Sequence, residues 1–396
     1  MARQWLGPAT FLFIPLVVTD TPGYQAPPPD YRELVRRRVY YDPAPATGED
    51  RSLASYIAAI SYGRAALDAT VAQPVTLRGL TDEDNPTLLA IQAQPSAHLF
   101  EYIAVVYPPN TRGAGSGMAQ PGRIDFDPPR TPNYTRARSR FRHDAPIGTW
   151  AMEVIHNVTD IGDYYNGVTH PGRFEEMAAA AATHPTSYTK LEAGWLTPEE
   201  VPMHGGGTRQ YTLGALGLPQ PATGGRVAGV RVRAFDSPRY LVVEARLRSD
   251  RWDRGVDGTS GIPSEGVALY EFSPETSSWP RRDANGPWPP LELRSPMALT
   301  VGQSFRYAPG RTNVRVVSAT AGGFVTEMVT DDVAVPFVTE LPAATATTRI
   351  QAAGLTPRST GETGAQAWVW RQSPLGGTRV LPGSVVTLQL RTGPIP

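Results

Sequence analysis

Turn-forming residues set the strongest limit on how this chain can fold. Glycine (38) and proline (40) together occupy 78 of the 396 positions. Proline removes a backbone donor, and glycine loses the most freedom when it is ordered. A chain this rich in both is expected to fold as short strands separated by turns, with few long helices. Its length leaves room for two or three domains, each able to bury its own core.

Composition then narrows function. The 37 basic residues balance 37 acidic ones, so no global field exists to hold nucleic acid, and any contact with a polyanion must be a local patch. There is no cysteine, which excludes disulfides, thiolate zinc sites and cysteine nucleophiles. The apolar stretch 11–18 is interrupted by Pro15 and is too short to span a bilayer, so it reads as a first buried strand and no transmembrane segment is expected. Gly205-Gly206-Gly207 lacks the lysine of a phosphate loop, and no GxSxG nucleophile elbow occurs. Asp82-Glu83-Asp84 is an acidic loop with the charge to hold a structural calcium ion.

Along the chain, Asp30 can cap a helix running through Leu34 and Val35. Ser52 can cap a second, with Leu53, Tyr56, Ile57 and Ile60 at helical spacing and an end near Gly63. Val71, Val75 and Leu77 suggest one strand, and residues 102–107 a buried one. Residues 108–147 read as loop. Within it Arg136, Arg138, Arg140 and Arg142 alternate, so an extended chain would project four guanidiniums to one side. That arrangement suits docking of an acidic polymer, and a solvated loop is the simpler alternative. Residues 178–182 read as a short helix. Runs at 226–235, 240–247, 266–272, 298–305 and 314–325 alternate between turn residues as in a β-sandwich. The expected class is α+β in three units: an α/β unit at 1–208, a β-sandwich-like unit at 209–332 and a small βαβ-type unit at 333–396.

The chemistry-bearing stretch is Met152-Glu153-Val154-Ile155-His156. Positions four apart share a helix face. Zinc peptidases place histidines at both such positions and a glutamate after the first, which takes a proton from metal-bound water. Here Glu153 and His156 are in place and Met152 stands where the first histidine belongs. A thioether is a soft, neutral donor suited to copper(I) rather than zinc.

The surrounding segments resemble the immune inhibitor A family of bacterial zinc metallopeptidases across roughly residues 10–330. They are the opening strand ending in Thr19-Asp20, Ser52-Leu53-Ala54-Ser55-Tyr56-Ile57 with Ser61-Tyr62-Gly63-Arg64, and Ser187-Tyr188-Thr189-Lys190 leading to Gly194-Trp195-Leu196. Tyr240-Leu241-Val242-Val243-Glu244-Ala245-Arg246, Ile262-Pro263 and Gly266-Val267-Ala268-Leu269-Tyr270 follow in the same order. The resemblance implies a metallopeptidase-like first unit with a zinc-binding helix and a third ligand about six residues past the second histidine, after a glycine turn. This chain departs there too: Thr159 stands at the turn and Gly162 at the ligand position, with Asp160, Asp163 and His170 nearby.

Three functions follow. One is a non-catalytic peptidase homologue that keeps the cleft as a groove for a protein or peptide, with no cofactor at the degraded site. Another is a secreted zinc endopeptidase with an altered ligand set, His156 and Asp163 on the metal and Glu153 as base. The third is a structural component of a larger assembly, in which the sandwich and the C-terminal unit mediate contacts.

Residues 333–393 resemble a single PASTA domain, a module of bacterial cell-wall proteins. Val335-Pro336-Phe337-Val338 opens it, a helix over 343–353 stops at Gly354-Leu355, and Gln372-Ser373-Pro374, Gly376, Val380 and Gly383-Ser384-Val385-Val386 follow, with Leu388 and Leu390 alternating. Gly361 to Ala365 lengthens the middle loop. The resemblance implies peptidoglycan or another assembly component as partner, and an extracellular or envelope-associated location.

Overall fold

The computed structural model describes residues 3–44, 47–109, 117–121, 137–164, 170–235, 237–255, 260–273, 291–364 and 366–393. Its first strand, β1 (Gly7–Thr19), is the axis of the first unit. α1 (Tyr31–Tyr40) and α2 (Leu53–Ile60) follow it, then β2 (Ala65–Val71), β3 (Val75–Arg78) and α3 (Pro86–Gln92). β4 (Tyr102–Tyr107), β5 (Gly117–Pro121) and β6 (Ala137–Arg142) complete a sheet of order β2-β1-β4-β6-β5. It is parallel except for β5, which pairs antiparallel with β6 at the edge.

Helices cover both faces of this sheet, which is why β1 is apolar on consecutive residues rather than on alternate ones. Phe11 and Phe13 join Tyr56, Ile57 and Trp150 in one core, while Leu12, Ile14 and Leu16 meet Ala90 and Ile91 in another. Val71, Val75 and Leu77, expected in one strand, belong to two. β2 pairs β1 up to Phe13 and β3 pairs it from Leu16. Pro15, which has no N–H to give, falls between these two partners.

Several helix and loop expectations need correction. Asp30 stands at the N-terminus of α1 with φ 54° and makes no side-chain cap, so packing of Tyr31, Val35 and Val39 fixes that helix. Ser52 does cap α2, accepting from the Ser55 N–H. The stretch read as loop over 108–147 contains β5 and β6, and Arg138, Arg140 and Arg142 lie half-buried on β6. Arg142 pairs with Asp144 at 2.9 Å. The loop reading of this stretch therefore gives way to a strand, on which Arg138, Arg140 and Arg142 alternate with the buried Ala137, Ser139 and Phe141. Arg136 lies outside the described residues.

After β6 come α4 (Ile147–Thr159), α5 (Glu176–Ala179) and α6 (Ser187–Glu192). The helix expected over 178–182 starts earlier and stops when Ala180 turns left-handed (φ 49°).

The second unit is two antiparallel sheets. β8 (Val230–Arg233), β9 (Tyr240–Arg246), β10 (Gly266–Phe272) and β11 (Leu291–Leu293) form one, with α7 (Arg251–Arg254) between β9 and β10. β7 (Thr208–Gly214), β12 (Ser304–Tyr307), β13 (Thr312–Thr320) and β14 (Gly323–Thr330) form the other. The strands expected at 226–235 and 298–305 are shorter and begin later, and that at 314–325 is a hairpin, β13 and β14, because Ala321-Gly322 turns the chain. The sheets pack face to face over Leu213, Val230, Leu241, Val243, Leu269, Val314 and Met328.

β9 is buried on both faces. Leu241, Val243 and Ala245 point into the sandwich, whereas Val242 belongs to the core of the first unit together with Tyr270 and Trp252. On that second face Glu244 and Arg246 are fully buried. Arg246 donates to Asp253 (3.0 Å), Glu244 (3.2 Å) and the carbonyls of Phe174 (2.8 Å) and His184 (2.9 Å). Glu244 also accepts the Ser187 N–H at 2.6 Å. Lys190, equally buried, donates to the Ile60 carbonyl and to His184 Nδ1. Burial brings its pKa down to about 7 against the pull of Asp253.

The last unit has its own core of Val335, Val338, Ile350, Val369, Leu388 and Leu390. β15 (Val333–Ala334) pairs with β18 (Arg379–Val380), and α8 (Ala343–Ala352) covers a sheet of β16 (Thr356–Gly361), β19 (Val385–Arg391) and β17 (Trp368–Ser373), in that order. Gly361, expected in a loop, ends β16. Asp332, at the junction, accepts Arg379 Nε at 3.0 Å and the Gly207 N–H at 2.9 Å.

Removing one member of a buried charged cluster leaves its partners uncompensated. Arg246→Met should cost about 3–5 kcal/mol in urea unfolding. A loss below about 1 kcal/mol would show that Glu244 and Asp253 do not depend on it.

Candidate functional site

α4 begins after Pro146, and its residues from Gly148 onward are all buried. Trp150 stacks 4.3 Å from Phe141 and anchors the helix to β6. Met152 is 6% exposed and part of the core, a use that suits a flexible thioether. At the C-terminus the chain reverses at Asp160 (φ 58°), not at Thr159 where a glycine turn would be expected. Asp160 tolerates this conformation because Asx residues visit the left-handed region more readily than most. Arg3 also holds its carboxylate at 2.7 Å. Thr159 stays helical, its hydroxyl donating to the Ile155 carbonyl and accepting the Ile161 N–H.

That reversal wraps the following loop around His156. Nδ1 lies 2.5 Å from the Ile161 carbonyl and Nε2 2.9 Å from Asp163 Oδ1. A carbonyl can only accept, so Nδ1 carries a proton. An ionised carboxylate also only accepts, so against it Nε2 carries a second. Burial alone disfavours the charged ring. The hydrogen bond and charge of Asp163, the charge of Glu153 and the Ile161 carbonyl outweigh burial and raise the His156 pKa above its ordinary 6.5. An imidazole donating from both nitrogens offers a metal a lone pair only after giving up a proton.

Glu153 is 7% exposed. It faces β5: a Cβ on Gly117 would lie 2.7 Å from Glu153 Oε1 and 2.7 Å from Thr149 Cγ2. Gly117 thus lets the sheet edge approach the helix face carrying Thr149 and Glu153. The sequence holds this glycine inside a Gly-rich stretch indistinguishable from a loop.

Of the other carboxylates and imidazoles near the motif, the structure brings Asp163 to His156 but engages Asp160 with Arg3. His170 Nδ1 accepts the Gly172 N–H at 3.0 Å. Among the described residues, no group of three or more histidine, aspartate or glutamate side chains is placed to share a metal ion. In the acidic run, Asp84 accepts the Thr81 N–H and hydroxyl, closing a turn. No helix among the described residues is long and apolar enough to cross a membrane.

Two variants probe this geometry. A folded-state pKa above 6.5 means folding takes up a proton, so the His156–Asp163 contribution is complete below the unfolded value and is lost as pH rises through the folded one. Asp163→Asn should therefore lower Tm at about pH 6, with the gap to wild type shrinking toward about pH 9; a gap independent of pH would refute the assignment. Gly117→Val should displace β5 from Glu153 and cost about 1–3 kcal/mol by overpacking, read by chemical denaturation.

No curated protein matches the chain, so the resemblance of residues 10–330 to the immune inhibitor A family rests on the segments quoted above. The PASTA domain family matches residues 333–392. The helix-covered three-stranded sheet with its own apolar core is the body of that match, and PASTA domains are modules of cell-envelope proteins whose presence suggests binding to peptidoglycan or other wall material. The C-terminal unit of this chain is a PASTA domain.

Proposed function

We propose that the chain is a non-catalytic homologue of a metallopeptidase that acts as a binding or assembly protein of the cell envelope. The observation that carries this reading is the double donation by His156. A catalytic zinc needs three protein ligands and an open water position, and here one position is a thioether and another an imidazole whose nitrogens both face acceptors. Asp163, the remaining candidate, is spent on that same imidazole. These residues do not fit the metal, and without it nothing lowers the pKa of a water for Glu153 to deprotonate.

What the degraded site retains is shape. β5 is the sheet edge, with one side paired to β6, and an edge strand can add a peptide strand through backbone groups alone. The edge of β5 turned away from β6 is the proposed seat for a protein or peptide segment, and the PASTA domain supplies attachment to the envelope.

Elemental analysis of protein purified without chelators should find less than about 0.1 zinc per chain. Casein should remain intact with or without added zinc. One zinc per chain, together with casein cleavage abolished by a chelator, would establish the altered ligand set His156 and Asp163 with Glu153 as base.

A further inference from the structure

The chain as a whole is neutral, but its charge is not evenly spread. Residues 333–396 contain five arginines and two glutamates. α8 covers one face of the β16-β19-β17 sheet, burying Val369, Val386, Leu388 and Leu390. Alternation places the partners of those positions on the opposite, open face. Ser359 pairs with the inward Leu388, so Arg358, opposite Thr387, points outward. Arg371 pairs with Gln389 and Ser373 with Thr387, both outward. Arg391 follows the inward Leu390 and is outward as well.

The open face thus carries Arg358, Arg371 and Arg391, all exposed, with Thr387 and Gln389 between them. A bulge between Val369 and Arg371 inserts Trp370, which is 38% exposed. The Arg391 guanidinium lies 4.0 Å from its ring centroid and that of Arg371 5.9 Å. This contact fixes two of the cations beside an aromatic surface. Glu362, beyond β16 and level with Arg391, accepts from the Thr392 hydroxyl and, at 2.7 Å, from its N–H, and its charge also acts on Arg391. Glu340 precedes α8, and Arg379 is paired with Asp332 at the junction.

We propose that this open sheet face binds a phosphodiester-linked polyol polymer of the cell wall. Guanidinium forks match phosphate oxygens, and the face offers three of them against one acid, Glu362 beside Arg391. Strand spacing and rise put the backbone positions of these arginines roughly 8–14 Å apart and unevenly spaced. A flexible phosphodiester chain adapts to that spacing better than a stiff uronate chain of fixed pitch. Trp370 and the Thr387 and Gln389 side chains meet the intervening polyol. The proposal rests on the envelope reading drawn from the PASTA domain and adds the polymer to it.

The test uses the full chain and a poly(glycerol phosphate) oligomer as probe, read by calorimetric titration. Wild type should bind, and more weakly as salt rises. Arg358→Gln/Arg371→Gln/Arg391→Gln should bind at least about tenfold more weakly with an unchanged melting curve, and the corresponding triple lysine variant should recover part of the loss. If the triple glutamine variant fails to fold, single Arg358→Gln and Arg371→Gln chains should each lose at least about twofold. No wild-type binding to the oligomer, tighter binding to polygalacturonate, or equal binding by wild type and variants would overturn the proposal. Retention on wall sacculi that is unchanged after their phosphodiester polymers are stripped would also overturn it, while leaving envelope attachment in place. Loss of retention on stripped sacculi supports it.

Discussion

The structure depends on one strand that has no solvent side. β9 gives Leu241, Val243 and Ala245 to the sandwich and Val242, Glu244 and Arg246 to the first unit. An alternating apolar and charged pattern would ordinarily mean a half-exposed strand. Here the charged side is covered, so Arg246 must find acceptors in Asp253, Glu244 and two backbone carbonyls. Such a cluster stabilises little relative to an apolar substitute, but it tolerates only one arrangement of its members. It therefore specifies how the first unit sits on the sandwich, and the two share a continuous core across the expected boundary at residue 208.

The segments that carry the family resemblance converge on this junction. Ile60 ends α2 and Tyr62 follows it, Lys190 lies in α6 and Trp195 just beyond it, and Glu244 and Arg246 lie on β9. Lys190 sits 4.3 Å over the Tyr62 ring and donates to the Ile60 carbonyl, and the Tyr62 hydroxyl reaches the Leu216 carbonyl. These motifs are structural joints. Their chemistry here serves burial.

The same logic governs the helix α4. A buried histidine needs partners for both nitrogens, and the chain itself supplies them to His156, through Ile161 and Asp163. The turn that brings them close is made by Asp160 rather than by a glycine, and its position one residue later than expected is what allows Thr159 to finish the helix. At the other end of the molecule, the open side of the PASTA sheet is charged for the opposite reason: Arg358, Arg371 and Arg391 are exposed there, so water solvates them and they need no buried acceptors.

Much of this was legible in the residues. Ser52 as a cap, β4 as a buried strand, α4 carrying Met152, Glu153 and His156, and the PASTA unit with its helix stop at Gly354 all follow from local rules of capping, periodicity and turn chemistry. Pairing was not legible. Val71 and Val75 fall on two strands because Pro15 on a distant neighbour interrupts the partner. Arg138, Arg140 and Arg142 enter a sheet because β4 lies beside them. Gly117 matters because of a glutamate 36 positions away. Local sequence determines which residues favour a helix, a strand or a turn, since those preferences act over a few bonds. Which face of β9 is wet, and whether His156 has a nitrogen to spare, is decided only when remote segments meet, because desolvation and hydrogen bonding depend on what arrives from elsewhere in the chain.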